Sequence, residues 1–481
     1  MLFEKAHILV LWLMFWKVES TLMESRKEFL DTESAKMDLM QLDGELIDSL
    51  MNYADKMDEK ASQLKRIALE LRQPLQAAKG REEEYLGNPL HSFPLIRHMY
   101  QDWVYLEEFM KKPVGEEEIQ FLRRKLTELP WQADTEEASV SIFRIAETYG
   151  MMPWEMANGL MDNVRFNSTL SALDCFEVAK LYFKWGYFKQ ALQWMSISKA
   201  RMKEEYSGVY EVLGMTSQDV ALLQARCLVE LDLRDEAHEV LLDQPDLAEN
   251  SISLLDQFKA NPYKAVDRSP KLGEDYKRLC RSSFSPTPSK LHCRYNSTTS
   301  RFLILASLKM EEISLEPYIV AYHDILPDKD IQQLITLAEP LLKPIEVFDE
   351  NKNEAKSSDR TSLGGPLLDR LTERMRDITG LQIPQGNPIN IIKYGFGAHS
   401  ETEGYGDRMA TVMFYLNDAP YGGATVFPRL NVKVPAERGK VLLWYNLNGD
   451  SQDVTTVHAV CPVFHGSKYV MATHIQRGKY M

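Results

Sequence analysis

The sequence of 481 residues has no long run of Lys or Arg, and its formal net charge is -14. Neutralising phosphates takes a basic face, so the composition argues against nucleic-acid binding. No apolar segment is long enough to cross a bilayer as a helix. The nearest is Ile8-Leu9-Val10-Leu11-Trp12-Leu13-Met14-Phe15-Trp16, after Lys5 and His7 and before the small residues Val18 and Ser20. That run suits the core of a signal peptide over residues 1–20, with a short membrane anchor or a buried helix as the other readings. A cleaved signal predicts a soluble lumenal or secreted mature chain. Cysteine is scarce: Cys175, Cys227, Cys280, Cys293 and Cys461 are an odd number, which excludes complete intrachain pairing. Cys280 and Cys293 enclose a short Ser/Pro-rich loop and make the expected disulfide, two buried thiols being the alternative. Two sequons, at Asn167 and Asn296, are candidate glycosylation sites in that compartment.

Proline is absent before Pro74. Apolar residues recur at three- and four-residue spacing through Phe29, Met37, Met40, Leu42, Leu46, Ile47, Leu50 and Met51, so residues 24 to 130 read as amphipathic helices. A second stretch opens on Gly87-Asn88-Pro89 and continues to Trp103. Together these form a helical region over residues 21–150. Residues 165–250 carry two helix-turn-helix patterns, Ala179 to Ala191 and Ala225 to Ala237, in which Gly186 and Ala191 let helices approach closely. Both look like tetratricopeptide repeats, whose stacked helix pairs make a concave surface. Tyr182, Trp185, Tyr187, Tyr206 and Tyr210 are candidates to line a groove for polyproline-II ligands, or else they are helix-packing core. Residues 251–305, rich in Ser and Pro, read as a linker. From about residue 310 to 481 helical patterns give way to short strand-like runs separated by Gly, Asn and Pro. That order predicts an antiparallel barrel or jelly roll with flanking helices, in a chain of roughly two to four domains.

The densest motifs lie in this last part. They are Arg408-Met409-Ala410-Thr411-Val412-Met413-Phe414-Tyr415-Leu416-Asn417-Asp418, Gly422-Gly423-Ala424-Thr425-Val426-Phe427-Pro428, Gly439 to Leu447, His458-Ala459-Val460-Cys461-Pro462-Val463 and Gly466-Ser467-Lys468. In order and spacing they resemble the prolyl hydroxylase branch of the 2-oxoglutarate and iron dependent dioxygenases. With the Gly-Asn-Pro turn, the resemblance extends nearly end to end to the alpha subunits of the collagen-type prolyl 4-hydroxylases. It implies an α+β multidomain chain: a helical dimerisation region, a tetratricopeptide-like peptide-binding domain and a double-stranded β-helix (jelly-roll) oxygenase domain. It also implies Fe(II), 2-oxoglutarate and L-ascorbate as cofactors. The implied partners are a protein disulfide isomerase beta subunit and proline-rich or collagen-like peptides, with an alpha–alpha dimer inside a heterotetramer of the endoplasmic reticulum lumen. The final residues, Arg477 to Met481, hold no retention tetrapeptide, in keeping with retention through a partner.

Such oxygenases need two imidazoles and a carboxylate on one face of the iron. By position His458 matches the second metal His, and Lys468, ten residues on, matches the Lys that pairs with the distal carboxylate of 2-oxoglutarate. The first half of the site departs from the family. After Tyr394-Gly395-Phe396-Gly397-Ala398 the expected Pro-His-x-Asp segment and its loop are missing. His399-x-Glu401 has the spacing for one face of a strand and is the substitute candidate; two exposed loop residues are the alternative. Asp407 is a poorer candidate, and His465 and His474 lie outside the expected positions. Two functions follow: an active peptidyl-proline dioxygenase, or a catalytically impaired paralogue that binds Pro-rich peptides or partner subunits.

Overall fold

A computed structural model describes residues 33–204, 207–266, 272–282, 290–348, 354–363, 366–384, 389–394, 399–400, 408–449 and 451–476. The expected signal segment lies outside them. The described chain forms two compact units, Glu33–Trp131 and Gln132–Met481.

The first unit is built on α1 (Glu33–Ala78), α2 (Pro89–Lys111) and α3 (Glu116–Lys125). α1 can run for 46 residues because Pro74, its only proline, falls in its last turns. The Gly-Asn-Pro turn starts α2: the Asn88 side chain accepts the Leu90 amide and Pro89 takes the first turn, where its missing N–H is harmless. α3 opens with Glu116–Glu118 and closes with Arg123–Lys125, which suits the helix dipole at both ends. Lys56 of α1 reaches Glu118 at 2.6 Å. Large apolar side chains stay uncovered, among them Met40, Leu50, Leu90 and Tyr100.

The second unit begins with helices: α4 (Gln132–Tyr149), α5 (Ala172–Lys184), α6 (Phe188–Glu204), α7 (Ser217–Glu230), α8 (Arg234–Leu242), α9 (Ser251–Ala260) and α10 (Glu274–Arg281). α4 therefore belongs here and not with the helical region expected to reach residue 150. The two predicted hairpins are α5–α6 and α7–α8. Ser171 and Thr216 cap α5 and α7 through boxes with Asp174 and Asp219. Gly186 closes the first turn at φ +83°, a conformation that side-chain-bearing residues rarely adopt. The expected linker over 251–305 is ordered differently too, since α9, α10 and a strand occupy much of it.

The hairpin aromatics do not form an open groove. Tyr182 is 2% exposed and Tyr210 is 6% exposed, and Trp194 and Phe143 are buried with them. Phe143 takes ring contacts from Tyr182, Trp185 and Tyr187 at 5.0–5.2 Å. Burial pushes the Tyr182 hydroxyl well above the usual phenol range. These rings are core: helices packed this closely need large side chains to fill the space between them. Tyr206 lies outside the described residues.

Among the described residues thirteen strands complete the unit, apart from two minor two-residue hairpins. They are β1 (Cys293–Asn296), β2 (Leu308–Ser314), β3 (Ile319–His323), β4 (Lys343–Phe348), β5 (Glu354–Leu363), β6 (Ile389–Tyr394), β7 (His399–Ser400), β8 (Arg408–Tyr415), β9 (Thr425–Phe427), β10 (Val432–Val434), β11 (Val441–Tyr445), β12 (Ala459–Val460) and β13 (Lys468–Gln476). A nine-stranded sheet runs β1-β2-β3-β11-β8-β13-β6-β5-β4, and a four-stranded sheet runs β10-β9-β12-β7. Alternation along the central strands separates two cores. Val412, Phe414, Leu443 and Met471 pack with helices α11 (Asp328–Ala338) and α12 (Pro366–Thr379) on one face. Met413, Tyr415, Trp444 and Val470 pack with Phe427, Val434 and Val460 of the smaller sheet on the other.

Two cysteine and sequon expectations change. Cys280 is bonded to Cys461, 181 residues away, with Cα atoms 5.6 Å apart, and Cys293 is an exposed thiol. α10 packs on the smaller sheet, which brings Cys280 to Cys461, whereas Cys293 opens β1 at the sheet edge. Asn296 ends that strand buried in the folded chain, its amide donating to Tyr322 at 3.1 Å and to Thr299. Asn167 is exposed.

Because Tyr182 is core, Tyr182→Ala should lower the stability of this unit by about 3–5 kcal/mol. Denaturant unfolding followed by tryptophan fluorescence measures it. A groove residue would leave the midpoint unchanged.

Candidate active site

Lys468 begins β13, pairs with Tyr394 of β6, and projects into the space between the sheets. It is fully buried. Its Nζ donates to Thr425 Oγ1 at 3.2 Å, and lies 5.4 Å and 5.1 Å from the ring centroids of Tyr394 and Tyr415. Thr425 Oγ1 also accepts the Tyr415 hydroxyl at 2.8 Å, so its lone pairs are committed to Lys468 and Tyr415. Gly423, at φ +71°, lies against the lysine stem: a Cβ there would be 3.4 Å from Lys468 Cδ and 2.9 Å from Ala419 Cβ. Among the described residues Lys468 has no carboxylate partner. Desolvation alone lowers its pKa to about 7.

His458 immediately precedes β12 and is 4% exposed. Its Nδ1 lies 3.1 Å from the Thr456 carbonyl. A carbonyl only accepts, so Nδ1 is the donor in this contact, and in a neutral ring that leaves Nε2 as the nitrogen able to ligate a metal. Trp444 and Phe427 hold the ring in place, with centroids at 4.7 Å and 5.7 Å. A buried polar chain stands behind Trp444: its Nε1 donates to Asn446 Oδ1 at 2.9 Å, and Asn446 Nδ2 donates to Thr411 Oγ1 at 2.9 Å. Thr411 Oγ1 in turn lies 3.2 Å from His474 Nδ1. His474 thus serves this chain, while His465 packs at an angle against the Phe166 and Tyr421 rings.

His458 and Lys468 both meet the aromatic cluster between the sheets, His458 through Trp444 and Phe427 and Lys468 through Tyr394 and Tyr415. For His399 only the backbone is described: it pairs with Val460, and Ser400 with Ala459, so β7 runs beside the strand that follows His458. Glu401 and Asp407 lie outside the described residues. Among the described residues no three His, Cys, Asp or Glu converge to hold a metal ion. An anion fits beside Lys468, since a desolvated amine without a counter-charge gains most from one. For iron, the described residues supply one imidazole and not a whole ligand set. Thr425, Tyr394 and Tyr415 were not singled out from sequence. Thr425 sits inside the quoted Gly-Gly-Ala-Thr-Val-Phe motif, and the two tyrosines end β6 and β8, where inward-facing positions carry rings.

Comparison with known proteins fits this geometry. A family profile described as the prolyl 4-hydroxylase alpha-subunit N-terminal region matches residues 32–163. Another, described as the 2OG-Fe(II) oxygenase superfamily, matches residues 389–476 and so takes in His458 and Lys468. Prolyl 4-hydroxylase subunit alpha-1 of Rattus norvegicus is 29% identical over 484 residues, covering 90% of this chain and 90% of its own. Over most of its length the chain is similar to prolyl 4-hydroxylase alpha subunits. The Homo sapiens alpha-1 subunit is 28% identical with the same coverage. The Bos taurus alpha-3 subunit is 29% identical over 448 residues, covering 80% of this chain and 81% of that protein. Among solved structures, a truncated viral collagen prolyl hydroxylase from Paramecium Bursaria Chlorella virus-1 aligns with 34% of this chain and 90% of its own. Its identity is 18% and its TM-score 0.28. The two matched regions flank the helical hairpins.

The depressed pKa of Lys468 gives a signed prediction. The folded state disfavours the charged amine, so its contribution to stability is complete above pH 10.5 and is lost as pH falls to about 7. Lys468→Met should therefore stabilise the ligand-free protein most below pH 7. The gain should shrink by about 1.4 kcal/mol per pH unit between the two values. Urea midpoints at several pH values measure it.

Proposed function

We propose that this chain is the catalytic alpha subunit of a collagen-type prolyl 4-hydroxylase, hydroxylating proline in Pro-rich or collagen-like chains with 2-oxoglutarate and oxygen. The observation that carries the reading is Lys468: a buried amine with no described acidic partner, ten residues after a buried imidazole. A buried charge without an internal partner is destabilising, and an anionic cosubstrate is the counter-charge that offsets it. In this reading the facing sheets are the double-stranded β-helix of the oxygenases. Lys468 and Thr425 bind the distal carboxylate of 2-oxoglutarate. Tyr394 and Tyr415 wall it from water, which strengthens the ion pair. His458 offers Nε2 to iron(II), and His399 and Glu401 are proposed as the remaining ligands. Iron(II), when bound with its cosubstrate and oxygen, supplies the oxidising power for hydroxylation, and L-ascorbate keeps it reduced.

The uncovered apolar residues of α1 and α2 suit a dimerisation face for an alpha–alpha pair. The helical hairpins are proposed as a tetratricopeptide-like peptide-binding domain. Its ligand surface would involve residues other than the buried Tyr182 and Tyr210. A protein disulfide isomerase beta subunit, a cleaved signal over residues 1–20, glycosylation at Asn167 and residence in the endoplasmic reticulum lumen complete the proposal.

Purified protein should convert 2-oxoglutarate to succinate, dependent on iron(II) and on a (Pro-Pro-Gly)-type peptide. His458→Ala and Lys468→Met should each lower kcat/KM by about 100-fold or more. Absence of turnover with peptide binding intact would instead make the chain a peptide-binding paralogue without catalysis. Unchanged turnover in His458→Ala would refute the metal assignment.

A further inference from the structure

His458 stands on little secondary structure of its own. The strand that follows it, β12, is two residues long and its neighbour β9 three. The Cys461 amide donating to the Ala424 carbonyl and the Gly423 amide donating to the Cys461 carbonyl carry that pairing on by one step, and the segment is also gripped from outside. That grip comes from α10. The Tyr276 hydroxyl donates to the Val460 carbonyl at 3.0 Å, and Cys280 is bonded to Cys461. Tyr276, Leu279 and Cys280 form a buried cluster with Ala424, Val426 and Ala459 on the smaller sheet. Lys433, which follows the first residue of β10, donates to the Cys280 and Ser282 carbonyls at 2.9 Å and 2.6 Å. The opposite end of the brace is tied to α4: Arg281 donates to the Thr148 and Glu147 carbonyls at 2.7 Å and 2.6 Å.

From this arrangement we propose that α10 is a positioning element for His458, acting through Tyr276 and the Cys280–Cys461 disulfide. The inference rests on the reading of His458 as a site residue. Helix α10 ties the helical part of this unit to the metal side of the site, three residues from the imidazole. The cosubstrate side is built differently: Lys468 begins a nine-residue strand flanked by β8 and β6 in the larger sheet. Opening the disulfide therefore loosens the His458 segment and leaves Lys468 in place. A cavity of ≈ 350 Å³ lined by Cys280 and Cys461 gives a small dithiol a way in. In that exchange a reagent thiolate attacks one sulfur and the S–S bond breaks. The reagent's second thiol then closes it into a cyclic disulfide, and Cys280 and Cys461 are left as two thiols.

The test is amide hydrogen exchange read by mass spectrometry on the full chain, in a Cys293→Ser background so that the exposed thiol cannot re-pair. Dithiothreitol, or Cys280→Ser with Cys461→Ser, should speed exchange over residues 457–463 by about tenfold. Residues 410–415 and 469–475 should keep their protection. Tyr276→Phe, which keeps the disulfide, should give a smaller rise confined to the same segment. In parallel, the iron(II) concentration giving half-maximal turnover should rise while KM for 2-oxoglutarate holds. Exchange that is unchanged, or that rises equally in both sheets, overturns the brace. If the exchange pattern appears in a protein that never turns over 2-oxoglutarate, the brace stands and the hydroxylase reading falls.

Discussion

The active-site half of this protein is organised around one buried amine. Placing a lysine ammonium between two sheets costs several kcal/mol unless something offsets it. Here the offsets within the described residues are partial: one hydroxyl from Thr425 and two aromatic faces. Much of the surrounding sequence follows from that placement. Tyr415 spends its hydroxyl on Thr425, which leaves the threonine oxygen oriented toward the lysine. Gly423 keeps the β8–β9 connection close to the lysine stem, at a φ that favours glycine. An apolar residue at position 468 would avoid that cost, which is why the proposed role of the lysine is to bind an anion.

The two functional side chains are supported by different means. Lys468 inherits its position from the nine-stranded sheet, whose outer face is sealed by α11 and α12. His458 depends on the Thr456 carbonyl, the Trp444 and Phe427 rings, and the contacts of α10 beyond β12. The polar chain from Trp444 through Asn446 and Thr411 to His474 extends the support across the inner face of the larger sheet. Lys468 is thus held by regular structure, whereas the His458 segment is held largely by side chains.

How much of this is legible in sequence depends on whether the signal is local. The long helices of the first unit are: three- and four-residue apolar spacing dictates them, with Pro74 in the last turns of α1 and Pro94 in the early turns of α2, and Asn88-Pro89 marks where α2 starts. The central strands β8, β11 and β13 read directly as apolar runs. Lys468 and His458 stand out in sequence through their ten-residue interval inside motifs that resemble a known family. The disulfide was not legible, because what brings Cys461 to Cys280 is the packing of α10 on a sheet strand 181 residues later. Tyr182 and Tyr210 misled for a related reason: a helical hairpin that packs on both sides needs rings in its core, and periodicity cannot tell that face from a ligand groove. Asn296 carries a sequon, but β1 pairs with β2 and turns the amide onto Tyr322.

The most direct test of the central claim is calorimetric. With a pKa of about 7, Lys468 is neutral in the ligand-free protein near pH 9. Pairing with a carboxylate requires it charged. Titration of 2-oxoglutarate into the intact protein at pH 9, in buffers of different ionisation enthalpy, should therefore show uptake of close to one proton per ligand bound, and Lys468→Met should abolish that uptake. Binding without proton uptake, or uptake that survives the substitution, would contradict the account.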